Sequence, residues 1–199
     1  MTLLSEVSAS RKDIRQLIRK RRRALTPEQQ AHFAQQAAGR MMAYPPVVMA
    51  KTVALFLSFD GELDTQPLIE QLWRTGKKVY LPVLHPFSKG NLLFLHYHPH
   101  SERVVNRLKI TEPKLDVRDV LPLSGLEVLI TPLVAFDKQG QRLGMGGGFY
   151  DRTLQNWQQH GLQPVGYAHD CQCVDTLPTE SWDVPLPAVV TPSTLWEWR

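Results

Sequence analysis

The sequence lacks any apolar segment long enough to cross a membrane. A transmembrane helix needs about 20 consecutive apolar residues, and no stretch of the chain approaches that length. Residues 1–12 also lack the basic start followed by an apolar run that marks a secretory signal. We therefore expect a cytoplasmic protein with no membrane partner.

Cysteine is scarce, and its spacing argues against the usual cysteine-based sites. Cys171 and Cys173 are the only two cysteines, and one residue separates them. A structural zinc site uses a wider spacing and a second pair of ligands. A disulfide across a single residue would be strained. We therefore expect both thiols to be free.

Low-complexity tracts are missing as well, so disorder is expected only at the chain ends. The 199 residues, of which 43% are hydrophobic and 21% charged, have the composition of an ordinary globular domain. Neither a linker nor a repeat divides the chain, and we predict a single domain over residues 1–199 and a monomer. The formal net charge of +4 suits anionic partners, either nucleotides or nucleic acid.

The pattern of apolar residues predicts two N-terminal helices over residues 10–42 and an α/β core over residues 50–199. The second helix begins at a capping box of Thr26 and Gln29, with Pro27 at its first position. Short apolar runs in the core are typical of strands buried on both faces. The expected core elements are strands at 52–57, 78–82, 92–97, 126–131, 164–168 and 189–190, and helices at 65–74 and 149–160. Their alternation predicts a three-layer, Rossmann-like domain with a mostly parallel sheet and helices on both faces.

A glycine-rich segment is the most informative local feature. Four glycines lie within the five positions from Gly144 to Gly148. Glycine lets a ligand approach the main chain closely, and successive N–H groups of such a loop can bind an anion. A helix beginning at Phe149 would direct further N–H groups to the same place. We interpret the segment as a phosphate-binding loop; a flexible turn is the alternative. Asp151 would either cap the helix or help to hold magnesium.

Arginines form a stripe along the first predicted helix. They stand three and four residues apart, at Arg11, Arg15, Arg19 and Arg22. Guanidinium groups bind phosphate oxygens well. For residues 19–23 the preferred interpretation is a solvated positive face. The alternative function for the whole protein is nucleic-acid binding through this stripe.

Three separated motifs occur in a recognisable order. They are the basic segment 11–25, the segment Leu57 to Thr65 with sequence LSFDGELDT, and the segment 132–152, which contains the glycines and ends in Tyr-Asp-Arg. Together they resemble the 5-formyltetrahydrofolate cyclo-ligase family in its bacterial form. The resemblance covers nearly the whole chain, and the third motif is the most specific.

This resemblance implies an enzyme that uses ATP as co-substrate and Mg²⁺ as cofactor to cyclise 5-formyltetrahydrofolate to 5,10-methenyltetrahydrofolate. The implied mechanism transfers the γ-phosphoryl group to the formyl oxygen. The N-10 nitrogen then closes the ring, and ADP and phosphate are released. The implied partners are these small molecules and not nucleic acid.

The resemblance also implies site residues. For ATP they are Arg11, Lys12, Asp13, Ile14, Arg15, Arg142, Leu143, Gly144, Met145, Gly146, Gly147, Gly148, Phe149 and Tyr150. For the folate substrate they are Leu57, Glu62, Met145, Gly146, Gly147, Gly148 and Phe149, and for the metal Asp151 and Asp183. Arg142 is the implied catalytic residue, because it would stabilise the transferred phosphoryl group. The family often has lysine in place of Arg11, so either Arg11 or Lys12 is expected to make the main phosphate contact.

Overall fold

The fold is taken from a computed structural model that describes residues 10–198. The α-helices within this range are α1 Arg11–Arg23, α2 Pro27–Ala43, α3 Pro45–Met49, α4 Gln66–Arg74 and α5 Phe149–Leu154. The strands there are β1 Thr52–Ala54, β2 Lys78–Leu84, β3 Leu92–Tyr97, β4 Arg103–Val105, β5 Thr111–Pro113, β6 Val120–Leu121, β7 Val128–Thr131, β8 Ala135–Asp137, β9 Arg142–Leu143, β10 Gln163–Tyr167, β11 Cys173–Val174, β12 Ala188–Val190 and β13 Leu195–Glu197. No helix in residues 10–198 is both long and apolar enough to span a bilayer.

An eight-stranded central sheet organises the molecule. Its strand order is β13-β12-β10-β7-β1-β2-β3-β6. The five central strands, from β12 to β2, are parallel, whereas β13, β3 and β6 pair antiparallel at the two edges. In register, Val53 of β1 lies between Val79 of β2 and Val128 of β7. The prediction of an α/β fold with a mostly parallel sheet is confirmed.

Successive side chains of the strands point to opposite faces of the sheet and pack in two hydrophobic cores. Val53 and Leu55 pack on one face with helices α2, α3 and α4. Ala54 and Leu129 pack on the other face, beside Leu154 of α5. This second face is covered mainly by short segments and by the three-stranded sheet β11-β8-β9. The sheet and its two covered faces give three layers. The layer on the second face contains little helix.

Local signals fix the first two helices. Ser10 caps α1 in a capping box with Asp13, and Thr26 caps α2 in the predicted box with Gln29. The second helix ends near the predicted place, at Ala43, because Tyr44 leaves the helical conformation before two prolines. The following residues form α3, a short helix that the sequence analysis did not anticipate.

Two predictions in the C-terminal half are wrong. The helix expected over residues 149–160 ends at Leu154, and a 3₁₀ turn follows Asn156, whose φ of 59° interrupts the helix. The strand at residues 188–190 is not the last, because β13 pairs with it antiparallel. Segment 99–124, where the sequence analysis places no strand, contains the hairpin β4-β5 and the edge strand β6.

The interpretation of residues 19–23 as a solvated face holds for Lys20 and Arg21, which are exposed, but is wrong for the other three residues. Arg19, Arg22 and Arg23 all form ion pairs with Asp60, in the loop after β1. The Arg22 side chain is completely buried, and its Nε donates to the main-chain oxygen of Asp60 over 2.9 Å. The positive stripe therefore fastens the 58–64 loop to α1. A buried guanidinium needs such a partner, because an uncompensated buried charge is strongly unfavourable.

We expect Asp60→Asn to lower the free energy of unfolding by about 3 kcal/mol, because it leaves Arg22 buried without an anion. Asparagine tolerates the positive φ of 55° at this position, so the loss would report charge and not backbone strain. Urea unfolding at pH 7 measures it. Asp175→Asn, which removes an exposed ion pair with Lys138, should have little effect, and equal losses in the two variants would contradict the role of Asp60.

The effect of Asp60 should depend on pH. Burial raises the pKa of Asp60, but hydrogen bonds from Arg19, Arg23 and Arg22 outweigh it, so the pKa is lowered overall. A carboxyl with a lowered folded-state pKa stabilises the protein above its unfolded value, and that stability is lost as the pH falls. The difference between wild type and Asp60→Asn should therefore shrink below a pH of about 4.

Candidate functional site

A large cavity lies at the carboxyl ends of the central strands. Its volume is about 820 Å³, and its floor includes Phe56 and Leu57 after β1 and Pro132 and Leu133 after β7. The chain leaves β1 towards β2 and leaves β7 towards β10, on the opposite side of the sheet. Ligands of open α/β sheets bind at such a switch of direction. The position of the cavity therefore follows from the strand order.

The glycine-rich segment forms one wall of this cavity. Gly144, Tyr150 and residues 145–149 line it, as the sequence analysis predicted for a ligand-binding loop. Arg15 of α1 also lines it, and its Nε donates to the main-chain oxygen of Gly144 over 2.7 Å. Because α5 has only six residues, little helix dipole supports this wall. The groups of this wall that could bind an anion are therefore main-chain N–H groups and arginine side chains.

Arg142 and Asp151 form an ion pair at the end of the cavity. Arg142 is only 5% exposed, and its Nη2 lies 2.8 Å from Oδ1 of Asp151. The same Oδ1 accepts from the main-chain N–H of Val184 over 3.2 Å. The Nε of Arg142 is buried without a hydrogen-bond partner among the described residues. Because Arg142 also lines the cavity, its positive charge is suited to attract an anionic oxygen there.

Arg11 and Asp183 form a second, bidentate pair. Arg11 lines the cavity, and its Nη1 and Nη2 lie 2.5 and 3.1 Å from the two carboxylate oxygens of Asp183. Burial raises the pKa of Asp183, but the bond with Arg11 and one from the Glu180 N–H outweigh it, so the pKa is lowered. Asp183 is thus ionised, but Arg11 already occupies both oxygens.

The two carboxylates predicted to bind magnesium therefore differ. Asp151 lines the cavity and has Oδ2 without a hydrogen bond in residues 10–198, so it fits a hard cation that prefers oxygen. Asp183 fits only if Arg11 releases it. Among the described residues, no cluster of three or more His, Cys, Asp or Glu suits a metal. Magnesium commonly uses only one or two protein carboxylates, so the cavity is compatible with it.

Glu62 is a further buried carboxyl group in the lining of the cavity. It lines the cavity, is 8% exposed, and its Oε2 accepts from the N–H of Phe59 over 3.1 Å. Burial raises the pKa of Glu62 to about 7, against the lowering effect of Arg22. Burial also raises the pKa of Tyr150, and Glu62 raises it further. Tyr150 therefore keeps its proton and remains a hydrogen-bond donor beside the carboxyl group.

One wall of the cavity contains none of the predicted site residues. It comes from the hairpin β4-β5, which contributes a mixed polar and apolar surface that includes Asn106, Leu108, Lys109, Ile110 and Glu112. Asn106 was the available signal, because its side chain accepts from main-chain N–H groups within the turn. Trp182, which is not among the predicted site residues, also lines the cavity and is 65% exposed.

Several residues of the predicted ATP site lie away from the cavity. Lys12 is exposed on α1, and Asp13 accepts from Ser10 in the helix cap. Ile14 and Leu143 pack in a small core below the loop. The structure therefore brings Arg11, rather than Lys12, to the cavity wall. Ile14 and Leu143 are placed to support the site through α1 and β9, and Asp13 does so through the cap of α1.

The chain is similar to proteins of known activity. Residues 7–192 match the sequence model of the 5-formyltetrahydrofolate cyclo-ligase family. A 5-formyltetrahydrofolate cyclo-ligase of Escherichia coli strain K12 is 81% identical over 182 residues, which cover 92% of this chain and all of the relative. The enzyme of that name from Haemophilus influenzae is 56% identical, over 88% of this chain and 94% of the relative.

A solved structure has the same fold. It is the NMR structure of Aquifex aeolicus 5,10-methenyltetrahydrofolate synthetase, with a TM-score of 0.80 and 26% sequence identity. The superposition covers 94% of this chain and 92% of that one. The strand order and layers described above are thus those of a known enzyme fold.

The buried Glu62 carboxyl group should make stability depend on pH. Because the folded state binds its proton more tightly than the unfolded state, stability should fall as the pH rises from about 4.5 to about 7. Glu62→Gln removes this effect and keeps an oxygen for the Phe59 N–H. Relative to the wild type, the free energy of unfolding of the variant should rise by up to roughly 3 kcal/mol between pH 5 and pH 8.

Urea unfolding at pH 5 and pH 8 measures this difference. Glu70→Gln serves as the control, because Glu70 lies on the exposed face of α4 and pairs with Arg74. The control should keep a constant difference from the wild type at both pH values. If Glu62→Gln behaved in the same way, the raised pKa would be wrong.

Proposed function

The chain belongs to the 5-formyltetrahydrofolate cyclo-ligase family, and from this premise we propose that it converts 5-formyltetrahydrofolate and ATP to 5,10-methenyltetrahydrofolate, ADP and phosphate. One observation carries the proposal beyond the family name. A single cavity is lined both by arginines with a glycine-rich segment and by a buried carboxyl group with apolar side chains. Such a cavity suits a polyanion beside a flat, hydrogen-bonding ring.

The glycine-rich end is the proposed nucleotide site. Arg11, Arg15 and Arg142 converge there with the main chain of residues 144–148. Phosphoryl transfer depends mainly on positioning and on neutralising negative charge, and arginine forks match phosphate oxygens. The three guanidinium groups come from α1 and β9, two elements held by the core, so they are in place before a ligand arrives. Pre-positioned charge is the most effective kind in catalysis.

Arg142 is the proposed catalytic residue. Its buried guanidinium would stabilise charge on the phosphoryl group as it moves from ATP to the formyl oxygen. The N-10 nitrogen then attacks the activated carbon, the ring closes and phosphate leaves. Pairing with Asp151 holds the arginine in this position without filling all of its donors.

The part of the lining that contains Glu62 is the proposed folate site. Leu57, Phe59 and Leu84 supply apolar surface to the same cavity. A carboxylate there can accept two hydrogen bonds from the amino group and ring N–H of a pterin. Its raised pKa means that it holds a proton part of the time near pH 7. Binding of the pterin would favour the ionised form, because the ligand N–H groups bond to it.

Magnesium is the proposed cofactor, and Asp151 is the residue best placed to hold it. Bound magnesium would offset charge on the phosphates of ATP. Asp183 would join only when Arg11 exchanges its carboxylate partner for a phosphate. In this exchange a phosphate would replace Asp183 beside the Arg11 guanidinium group, and the freed carboxylate would be available to the metal ion.

The alternative of nucleic-acid binding gains no support. The arginines at positions 19, 22 and 23 are bound to Asp60, and Arg11 and Arg15 face the cavity. A nucleic-acid binder needs such groups free to reach phosphates along a surface. Monomeric state and cytoplasmic location stay predictions.

The proposed activity is tested by mixing the protein with ATP, MgCl₂ and 5-formyltetrahydrofolate and following the absorbance of the methenyl product. The wild type should form product in step with ADP. Arg142→Ala should lower kcat by about 100-fold or more, because it removes a transition-state contact. Arg118→Ala, at an exposed arginine paired with Asp116, should have normal kcat. No product from the wild type would reject the proposal, and full activity in Arg142→Ala would reject that role.

We expect Asp151→Asn to raise the magnesium concentration for half-maximal activity about tenfold, because a neutral amide is a weaker ligand. Asparagine keeps an oxygen for Arg142 and for the Val184 N–H, so the arginine should stay in place. Activity is measured over a range of MgCl₂ at constant ATP. Asp175→Asn is the control, and a magnesium curve for Asp151→Asn that coincides with it would exclude Asp151 as a ligand.

A further inference from the structure

Arg152 joins the glycine-rich segment to the loop between β2 and β3. Its Nη2 donates to the main-chain oxygen of Gly147 over 2.6 Å, and its Nε donates to that of Gly90 over 2.7 Å. The side chain is exposed and does not itself line the cavity. We propose that Arg152 is a positioning residue, which turns the peptide between Gly147 and Gly148 so that its N–H faces the nucleotide. This inference rests on the proposed function.

The geometry of the peptide bond carries the argument. In a trans peptide the C=O and the following N–H lie in one plane and point in opposite directions. Arg152 holds the Gly147 oxygen on the side away from the cavity. The N–H of Gly148 must therefore point the other way. Within residues 10–198 the N–H groups of residues 146–148 donate to no protein acceptor, so they are available to an anion.

Two glycines leave room for this guanidinium group. A Cβ on Gly148 would lie 2.9 Å from Nη1 of Arg152, and one on Gly90 would lie 2.7 Å from Nη2. Both positions also have positive φ, +67° and +86°. Any other residue at either position would push the guanidinium group off the main chain. The two glycines and the arginine thus work as one arrangement.

Phe149 completes the arrangement. The guanidinium carbon of Arg152 lies 5.6 Å from the centre of the Phe149 ring, within the range of a cation–π contact. Phe149 itself lines the cavity. At the other end of the loop, Arg15 holds the Gly144 oxygen in the same manner. The difference is that Arg15 can also touch the ligand, whereas Arg152 acts only through the loop.

The expected signature is a selective loss of nucleotide affinity. Without Arg152 the Gly147 peptide is free to rotate, so Arg152→Met should raise KM for ATP about tenfold, the value of one charge-assisted hydrogen bond. KM for 5-formyltetrahydrofolate should change less than about twofold. Arg152→Lys has a single ammonium group and no planar fork, so it should hold one carbonyl only and recover part of the loss.

The test combines steady-state kinetics with calorimetric titration of ADP and MgCl₂ in the absence of folate. Arg118→Met is the matched control, because Arg118 is an exposed arginine outside the cavity. Thermal unfolding of each variant separates a local effect from a general one. Weaker ADP binding by Arg152→Met at an unchanged Tm, with partial recovery in Arg152→Lys, supports the proposal.

Two results would overturn it. The first is ADP affinity in Arg152→Met equal to that of the control, and the second is an equal rise of KM for both substrates. If the wild type binds ADP but forms no product, the proposed function fails, and the titrations still decide the role of Arg152. If the wild type does not bind ADP, both proposals fail.

Discussion

The guanidinium group of Arg142 is buried at the end of a largely apolar cavity, where an unpaired charge would cost several kcal/mol. Asp151 offsets that cost, and Asp183 does the same for the partly buried Arg11. With these ion pairs, the protein can keep ionised arginines where a nucleotide's phosphates would lie. The arginines can then exchange protein carboxylates for phosphate oxygens, and bound magnesium would offset part of the negative charge that ATP adds. The same constraint explains why the proposed metal ligands are partners of the proposed phosphate ligands.

The parts of the fold that follow from local chemistry were predictable from the sequence. The capping box at Thr26 fixes the start of α2. The apolar run at residues 52–57 indicates a buried strand, which the structure has as β1. In both cases the deciding atoms lie within a few residues of each other. The site residues near Gly144 were found for the same reason, because a cluster of glycines is visible without knowing the fold. Their assignment to ATP, however, came from the family resemblance.

The missed parts depend on partners that are distant in the sequence. The ion pairs of Asp60 join residues about 40 positions apart, and a helical stripe of arginines looks the same with or without that partner. The expected helix at residues 149–160 fails at Asn156, a residue that tolerates the left-handed conformation but does not require it. The hairpin β4-β5 has no alternating apolar pattern, since it buries few side chains and faces a ligand cavity.

The N-terminal helix α1 contacts both groups of residues that would bind the two substrates. Its first turns bring Arg11 and Arg15 to the phosphate end, and its last turn holds Asp60, two residues before Glu62. One rigid helix of 13 residues, about 20 Å long, therefore sets the distance between the two groups of ligands. A reaction that joins a phosphoryl donor to a formyl acceptor depends on that distance, because misplacement by 1 Å can cost about 100-fold in rate. Tight attachment of α1 to the 58–64 loop is thus a requirement of the chemistry as well as of folding.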